Sequence, residues 1–350
     1  MSEKLRIGQI GCGGNGTGHL EAGRVSGVVE PVAVCDIIAE RAESRKEKYG
    51  AKAAYLDYRE LLQRDDVEAV VISVPNYIHH EIAIAALQAG KHVLCEKPMT
   101  IKADWAEEMV KTANASGLVF QVGMTSRFRP EAQWLKKYVA AGNLGEVYFG
   151  RARYVRRSGI PGWGSWFTRK EQSGGGPLID IGVHVLDLTW YLMGCPKPVS
   201  VSGACFSALG HRKKGVGSWG RVDWDGYFDV EDFATALVRF ENGAVISLEA
   251  SWAAYTNENN AIDLLGTEKG AQLATDKVTL LTQEDDHNMD TVVTMPKRRN
   301  VNNFVRQMEA FAKAVKEGGP VMTTGDQGLQ MVKILLGIYE SARTQKEVFL

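Results

Sequence analysis

At 350 residues the chain is long enough for about two domains, and its 45% hydrophobic residues are typical of a globular protein with a sizeable core. Its 41 Lys and Arg residues balance 42 Asp and Glu residues. The resulting net charge of -1 excludes a global field that would hold the protein on nucleic acid or on a membrane. No apolar run approaches the ~18 residues that a membrane span needs.

The cysteines and the N-terminus indicate the compartment. The five cysteines are widely spaced and form no C-x-x-C pair, which favours a reducing environment over a disulfide framework or a zinc site. An apolar strand begins within a few residues of the N-terminus, so we expect no signal peptide. These features together predict a cytoplasmic protein.

The first third of the sequence alternates short apolar runs with helical patterns. The runs predicted as strands are residues 4–10, 30–36, 68–74, 92–96 and 118–122. The patterns predicted as helices are residues 15–25, 39–49, 57–64, 81–89 and 102–117. Because strands and helices alternate, we predict a doubly wound parallel sheet, the Rossmann type of α/β domain, at residues 1–123.

The pattern changes after about residue 124, where long β-type runs predominate. The predicted strands are residues 146–156, 199–208, 228–240 and 244–252, and the predicted helices are 129–141, 180–193, 303–317 and 325–344. Asn242-Gly243 between two strands predicts a hairpin, and Lys297-Arg298-Arg299 predicts a surface loop. We therefore predict a second, β-rich domain at residues 124–350. Few helices are available to cover its sheet, so a second subunit is the expected cover.

A glycine motif, Gly11-Cys12-Gly13-Gly14-Asn15-Gly16, directly follows the first predicted strand. Gly11 permits a tight turn, Gly13 lets the backbone approach a pyrophosphate, and Gly16 allows helix and strand to pack closely. The helix that follows presents free N–H groups and the positive end of its dipole to phosphates. Asp36 ends the next strand, where its carboxylate can accept hydrogen bonds from ribose hydroxyls and would repel a 2′-phosphate. The motif predicts NAD binding, with NAD favoured over NADP; the alternative for Asp36 is a residue that only starts a turn.

Two further strands end in polar segments at the edge of the sheet where ligands of such folds bind. One segment is Pro75-Asn76-Tyr77-Ile78-His79-His80, and the other is Glu96-Lys97-Pro98. A lysine beside a cationic nicotinamide should have a lowered pKa and could take part in proton transfer. The alternative for Lys97 is an ordinary solvated lysine, and spacing alone does not decide between the two.

The stretch Gly174-Gly175-Gly176-Pro177-Leu178-Ile179-Asp180 leads into His184. Asp180 and His184 are four residues apart at the start of a predicted helix, so they would share one face. Oxidation of a carbinol needs a base, and a carboxylate on the same face, from Asp180 or from Asp187, can orient the imidazole. The alternative is a core histidine and a helix-capping aspartate. No third ligand stands at metal-binding spacing, so we expect no metal site.

Taken together, these residues resemble the Gfo/Idh/MocA family, named for glucose–fructose oxidoreductase, inositol dehydrogenase and a rhizopine-catabolism protein. The likeness covers nearly the whole chain. It rests on the glycine loop of residues 11–16, on Pro75-Asn76 with His79, on Glu96-Lys97-Pro98, and on the glycine-rich stretch that leads to Asp180 and His184.

The resemblance implies a Rossmann domain followed by an α+β domain with a large, mostly antiparallel sheet, and assembly into homodimers or homotetramers through those sheets. It implies that Lys97, Asp180 and His184 are the catalytic lysine, aspartate and histidine, and that the peptide bond before Pro98 is often cis. It further implies that Asn76 and His79 belong to a segment that lines the nicotinamide end of the cofactor. Pro75, Glu96 and Lys97 are further candidate cofactor-binding residues.

Substrate recognition is predicted from the loop just before the glycine run. Indole faces suit the C–H faces of pyranose rings, so Trp163 and Trp166 are candidate sugar platforms; the alternative is that both pack under the loop or at a subunit contact. Arg169 could bind ring hydroxyls or an anionic group. The stretch from Trp163 to His184 also resembles family members that oxidise glycosides at C3 of the pyranose.

We therefore expect an NAD-dependent dehydrogenase acting on a sugar, glycoside or cyclitol. His184 would remove the hydroxyl proton, Lys97 would hydrogen-bond the same oxygen, and Asp180 would orient them while hydride passes to the nicotinamide. One alternative retains its NAD and oxidises only transiently, for glycoside cleavage or epimerisation without net redox change. Another is a catalytically silent NAD-binding regulator, against which the presence of both Lys97 and His184 weighs. Relatives also act on biliverdin or dihydrodiols, but the tryptophan-containing loop favours a hydroxylated ring.

Overall fold

The computed structural model describes residues 3–274, 276–296 and 302–350. Within them the α-helices are Gly14–Ser26 (α1), Ala39–Tyr49 (α2), Tyr58–Leu62 (α3), His79–Gln88 (α4), Ala103–Ser116 (α5), Pro130–Ala140 (α6), Lys170–Ser173 (α7), Val183–Leu192 (α8), Asn303–Glu317 (α9) and Gly325–Thr344 (α10). The strands of a first sheet are Leu5–Ile10 (β1), Val29–Cys35 (β2), Ala53–Tyr55 (β3), Ala69–Ile72 (β4), His92–Cys95 (β5) and Phe120–Val122 (β6). The strands of a second sheet are Val147–Val155 (β7), Pro198–Phe206 (β8), Phe233–Phe240 (β9), Val245–Ser251 (β10), Asn259–Gly266 (β11), Gly270–Leu273 (β12), Val278–Glu284 (β13), His287–Val293 (β14) and Val348–Phe349 (β15).

The first sheet has the strand order β3-β2-β1-β4-β5-β6, and its neighbouring strands pair in parallel. The order reverses at β1, so the carboxyl ends of β1, β2, β4 and β5 lie at the ligand-binding edge of a doubly wound fold. This confirms the predicted Rossmann-type domain. The short strand β3 escaped the sequence analysis because three residues are too few to show a period.

Two compact units divide the chain, Met1–Thr125 with Arg298–Val332 and Ser126–Lys297 with Lys333–Leu350. All of residues 124–350 were predicted to form the second domain. In the structure, Arg298–Val332 belongs to the first unit. The reason is packing. Helix α9 buries Met308 and Phe311 in one cluster with Leu5 and Ile7 of β1. The apolar side chains of β1 are therefore covered by a helix that lies almost 300 residues further along the sequence.

In the described residues the second sheet has nine strands in the order β14-β13-β12-β11-β7-β10-β9-β8-β15. Only β7 and β10 among these pair in parallel, so the sheet is mostly antiparallel, as the resemblance implied. The predicted hairpin at Asn242-Gly243 joins β9 to β10, with Phe240 N–H donating to the Ala244 carbonyl at 3.0 Å. The sequence analysis did not identify β11 to β15.

One face of the second sheet packs on helices. Leu188 and Leu192 of α8 join Leu135 of α6 and Ile262 and Leu264 of β11 in a buried cluster. Among the described residues, no helix combines the length and the apolar character that crossing a membrane requires. The surface loop predicted at residues 297–299 lies outside the described part of the chain.

Candidate active site

The glycine loop joins β1 to α1 and contains glycines of two kinds. Gly11 has φ +86, and a side chain there would meet the Ser73 carbonyl oxygen at 2.3 Å. A Cβ at Gly16 would lie 1.9 Å from the Gly11 carbonyl oxygen. At Gly13 and Gly14, by contrast, an added Cβ would meet no described atom within 4 Å. The fold therefore requires Gly11 and Gly16, whereas Gly13 and Gly14 leave open space at the start of α1.

Asp36 follows β2 and ties this loop in place. Its carboxylate is buried and accepts hydrogen bonds from the backbone N–H of Cys12 at 2.8 Å and of Ile38 at 3.0 Å. The Arg41 guanidinium lies 3.3 Å from the same carboxylate. Beside it, the side chain of Ile37 is 88% exposed. A ligand with a flat apolar ring and hydroxyl groups could contact both the Ile37 side chain and the carboxylate. Ile37 was not predicted from the sequence.

Lys97 lies at the carboxyl end of β5, in a segment that the His79 side chain contacts. The peptide bond between Lys97 and Pro98 is cis, as the resemblance implied. His79 is fully buried, with Nδ1 at 2.8 Å from the Pro98 carbonyl and Nε2 at 2.9 Å from the Val74 carbonyl. Burial lowers the pKa of His79, whereas the contacts with the two carbonyl oxygens act to raise it. His79 therefore connects the ends of β4 and β5 through its ring, while Asn76 is buried in the 3₁₀ turn that begins after Pro75.

Glu96 connects the Lys97 segment to α1. Its side chain is buried, with Oε1 at 2.7 Å from Nε2 of His19 and Oε2 accepting the backbone N–H of Lys97 at 3.2 Å. His19 itself is fully buried and meets the edge of Phe304. Sequence reasoning missed His19, which stands one helical turn after Gly16 on α1. The structure thus holds the backbone of Lys97 through one carboxylate that also contacts the helix behind the glycine loop.

Asp180 and His184 stand at the junction of two kinds of helix in the second unit. Leu178–Gly182 forms a π-helical turn, and α8 continues from Val183. Asp180 is partly exposed, and its Oδ2 accepts a hydrogen bond from Nε1 of the fully buried Trp252 at 2.9 Å. His184 is partly exposed in the first turn of α8. The sequence analysis expected one continuous α-helix; a π-helical turn of this kind is frequent at functional sites.

The glycine run before Asp180 is required by the close approach of Glu231 and Tyr339. Glu231 accepts the N–H groups of Gly176 at 2.9 Å and of Leu178 at 3.1 Å, and the Tyr339 hydroxyl donates to it at 2.9 Å. A Cβ at Gly175 would lie 1.9 Å from the Tyr339 hydroxyl oxygen, and one at Gly176 would lie 2.0 Å from the Glu231 carbonyl oxygen. Burial raises the pKa of Tyr339 well above its usual value, so its hydroxyl keeps the proton that it donates. Neither Glu231 nor Tyr339 was predicted from the sequence.

Asp187, the second carboxylate considered as a partner for His184, is engaged elsewhere. It is 1% exposed and accepts two hydrogen bonds from the fully buried Arg127, at 2.9 Å from Nε and 2.6 Å from Nη2. Burial acts to lower the pKa of Arg127, but the Asp187 charge outweighs it and the pKa is raised. The proposal that Asp187 orients His184 is therefore replaced by a buried, bidentate ion pair.

The two tryptophans predicted as sugar platforms differ in their exposure. Trp163 is only 4% exposed and donates its indole N–H to the Gly210 carbonyl at 2.7 Å, so it packs beneath the loop, which was the alternative. Trp166 is partly exposed and lies against Phe167, with ring centroids 3.8 Å apart. Arg169 donates to the Gly164 carbonyl at 3.0 Å and pairs with Asp223 at 3.2 Å.

The predicted site residues are therefore distributed over both compact units. The first unit contains Gly11, Gly13, Gly14, Asn15, Gly16, Asp36, Pro75, Asn76, His79, Glu96 and Lys97, and the second contains Trp163, Trp166, Arg169, Asp180 and His184. Within the described residues, no three His, Cys, Asp or Glu side chains are grouped to hold a metal ion.

Comparison with known proteins decides the family. The family model described as "Oxidoreductase family, NAD-binding Rossmann fold" matches residues 5–124, and that of the "GFO/IDH/MocA C-terminal domain" matches residues 132–272. D-glucoside 3-dehydrogenase of Escherichia coli (strain K12) is 36% identical over 91% of this chain and 90% of its own length. The chain belongs to the Gfo/Idh/MocA oxidoreductase family. Myo-inositol 2-dehydrogenase of Thermotoga maritima is 27% identical over 98% of this chain and 97% of its own length.

A solved structure supports the same relationship. Levoglucosan dehydrogenase in complex with NADH and levoglucosan superposes with a TM-score of 0.89 at 26% identity, over 99% of both chains. In this Gfo/Idh/MocA oxidoreductase the residues present fit NAD. Gly13 is the N-cap of α1 and has no side chain, so the open N–H groups of the helix start can receive a pyrophosphate. The buried carboxylate of Asp36 suits the ribose hydroxyls. The NAD-binding family model and the similar structure that holds NADH confirm the predicted cofactor.

Gly13 and Gly16 differ in the space around their Cα atoms, and this difference leads to a prediction about the cofactor site. Gly13→Ala should leave the thermal unfolding midpoint nearly unchanged, because its φ of -70° suits alanine and its Cβ meets no described atom. The methyl group would nevertheless occupy the space through which a pyrophosphate reaches the backbone, so the Kd for NAD should rise at least about tenfold. Gly16→Ala should instead lower the unfolding midpoint. Calorimetric titration and thermal unfolding of both variants check this, and equal NAD affinity in Gly13→Ala and wild type would contradict it.

Proposed function

We propose that the protein is an NAD-dependent dehydrogenase that oxidises a carbinol carbon of a sugar, glycoside or cyclitol, with C3 of a pyranose favoured. The main support is the 36% identity to a D-glucoside 3-dehydrogenase over nine-tenths of both chains. The relatives named for inositol and levoglucosan support the broader class of polyhydroxylated rings.

In the proposed reaction two residues act on the substrate hydroxyl and a third positions the base. His184 accepts the hydroxyl proton as the general base, since an imidazole titrates near neutral pH. Lys97 donates a hydrogen bond to the same oxygen and stabilises the negative charge that grows there as the proton leaves. Asp180 orients the base. NAD, when bound, supplies the acceptor for the hydride of the carbinol carbon.

The surroundings of each residue support these roles. The backbone N–H of Lys97 is held by Glu96, and the carbonyl oxygen of the next residue, Pro98, contacts Nδ1 of His79. The carboxylate of Asp180 is held by the indole N–H of Trp252. Fixed backbone and fixed carboxylate are what a site needs to present its reacting groups without rearrangement.

The test is near-ultraviolet absorbance of reduced nicotinamide with purified protein, NAD and a panel of glycosides, free sugars and inositols. Continuous growth with a glucoside, and none with its 3-deoxy analogue, is the expected result. A single burst near one equivalent per subunit would support the retained-cofactor alternative. Silence across the panel, despite measured NAD binding, would overturn the proposed function.

We also propose that the second sheet pairs with a further copy of the chain through its open face. Along this face Arg151 and Arg153 both contact Asp263, at 3.1 and 2.8 Å, and Leu237 of β9 is 38% exposed. An antiparallel sheet packed on helices from one side leaves its other face open, and a symmetric pair of copies can bury two such faces against each other. Sedimentation of wild type and Leu237→Glu measures this: a dimer or tetramer is expected for wild type and a smaller species for the variant.

A further inference from the structure

Exposed aromatic side chains concentrate in residues 215–227 of the second unit, which we call the aromatic segment. Trp219 is 55% exposed, Trp224 52% and Tyr227 46%. Large aromatic side chains are usually buried, so three of them exposed within nine residues indicate a binding surface. The sequence analysis named none of the three.

The aromatic segment is fastened to the loop of residues 159–169 along its length. Backbone hydrogen bonds connect Ile160 N–H to Gly215 O, Gly217 N–H to Ile160 O, Gly162 N–H to Trp219 O and Asp223 N–H to Trp163 O, at 2.7–2.9 Å. A Cβ at Gly164 would lie 1.8 Å from the Asp223 carbonyl oxygen, and one at Gly226 would lie 2.1 Å from the Gly164 carbonyl oxygen. Two backbones this close hold each other rigidly, so the exposed rings are positioned in advance of any ligand.

Each exposed indole contacts another aromatic ring. The Trp224 ring lies next to the ring of the buried Trp163, with centroids 5.4 Å apart. The Trp219 and Phe167 rings meet edge to face, with centroids 4.9 Å apart. Such offset and edge-to-face contacts support a ring from one side. About half of each indole residue nevertheless stays exposed, at 55% for Trp219 and 52% for Trp224.

Fixed polar groups stand beside these rings. The Arg169 guanidinium pairs with Asp223 at 3.2 Å and lies 5.2 Å from the centre of the Tyr227 ring. The Lys213 ammonium group lies 5.5 Å from the centre of the Trp224 ring. A pyranose has apolar C–H faces and a rim of hydroxyls, so aromatic faces bordered by held charged groups match it better than they match a purely apolar partner.

The aromatic segment is connected to Asp180 within the second unit. Asp180 accepts the indole N–H of Trp252, and Trp252 belongs to one buried cluster with Trp163 and Ile181. Trp224 rests on Trp163. A chain of contacts therefore joins Asp180 to the exposed Trp224 through Trp252 and Trp163.

We propose that Trp219 and Trp224 form a second sugar subsite, which binds the ring attached to the pyranose that is oxidised. This inference rests on the proposed function and adds to it: the preferred substrate is a glycoside with two rings. The subsite adds binding free energy from a non-reacting ring, which raises kcat/KM for the longer substrate.

The test compares a β-linked glucose disaccharide with methyl β-glucoside, which carries the same oxidisable ring. In the double variant Trp219→Ala, Trp224→Ala the ratio of the two kcat/KM values should fall about tenfold, the order expected for one lost stacked ring. Tyr148→Ala, which removes an aromatic side chain of similar exposure from β7, is the matched control and should keep the wild-type ratio.

The outcomes are separable from failure of the proposed function. A ratio of the two kcat/KM values that stays at the wild-type value overturns the subsite. If the oligomer mass of the double variant changes while the ratio stays the same, these tryptophans belong to a contact between copies instead. If wild type oxidises neither sugar, calorimetric titration of the disaccharide into NAD-loaded protein decides. Binding that wild type shows and the double variant lacks supports the subsite, and absent or equal binding overturns it.

Discussion

His184→Ala is expected to lower kcat by about 10²–10⁴-fold, because the general base that accepts the hydroxyl proton is lost. The imidazole of His184 stands in the first turn of α8, partly exposed, and alanine suits a helix there, so the fold should be retained. Lys97→Ala should lower kcat by a comparable factor, since the hydroxyl oxygen loses its charged hydrogen-bond donor. Both rates are measured as NADH formation with the best substrate of the panel.

Two further measurements separate a catalytic from a structural loss. The Kd for NAD of each variant, by calorimetry, should stay close to the wild-type value. The exposed residues His287 and Lys111 provide matched controls: His287→Ala and Lys111→Ala should retain wild-type turnover. Near-normal turnover in His184→Ala or in Lys97→Ala would refute the roles assigned to them, and loss of NAD binding in parallel with turnover would assign the residue to the cofactor instead.

Arg127→Met is expected to destabilise the second unit by about 3–5 kcal/mol, because it leaves the carboxylate of Asp187 buried without its ion-pair partner. Both side chains are almost completely inaccessible, at 0% and 2%. For a unit of this size the thermal unfolding midpoint should fall by about 10 °C. Differential scanning calorimetry measures the change directly.

The double variant Arg127→Met, Asp187→Leu tests the cause of that loss. Replacement of a buried ion pair by apolar side chains is often nearly neutral, so the second substitution should restore most of the midpoint. Arg343→Met, which removes the exposed partner of Glu340, should shift the midpoint by less than about 2 °C, since surface ion pairs contribute little. A double variant no more stable than Arg127→Met would show that the arginine acts through its own packing, for example against Tyr191.

Local sequence was sufficient to predict the Rossmann fold, its glycine loop and the NAD cofactor. The glycines at 11 and 16 and the carboxylate of Asp36 lie within one β-α-β unit, and each acts through its own backbone position at the end of a strand. Strand periods and helix periods also placed α1, α2, α5 and α9 to within one residue or so. These features depend on neighbours a few residues away, which is the range over which periodicity and turn chemistry carry information.

The surroundings of Asp180 show what only the tertiary structure decides. Glu231, Tyr339 and Trp252 stand 51 to 159 residues further along the chain, yet they explain the glycine run and hold the carboxylate. The burial of Trp163, and the engagement of Asp187 by Arg127, were likewise open alternatives until the loops and helices were packed. Each of these depends on which side chain meets which across the folded core. One sequence read in windows does not record such contacts, because the free energy of a buried polar group depends on its partner and not on its neighbours in the chain.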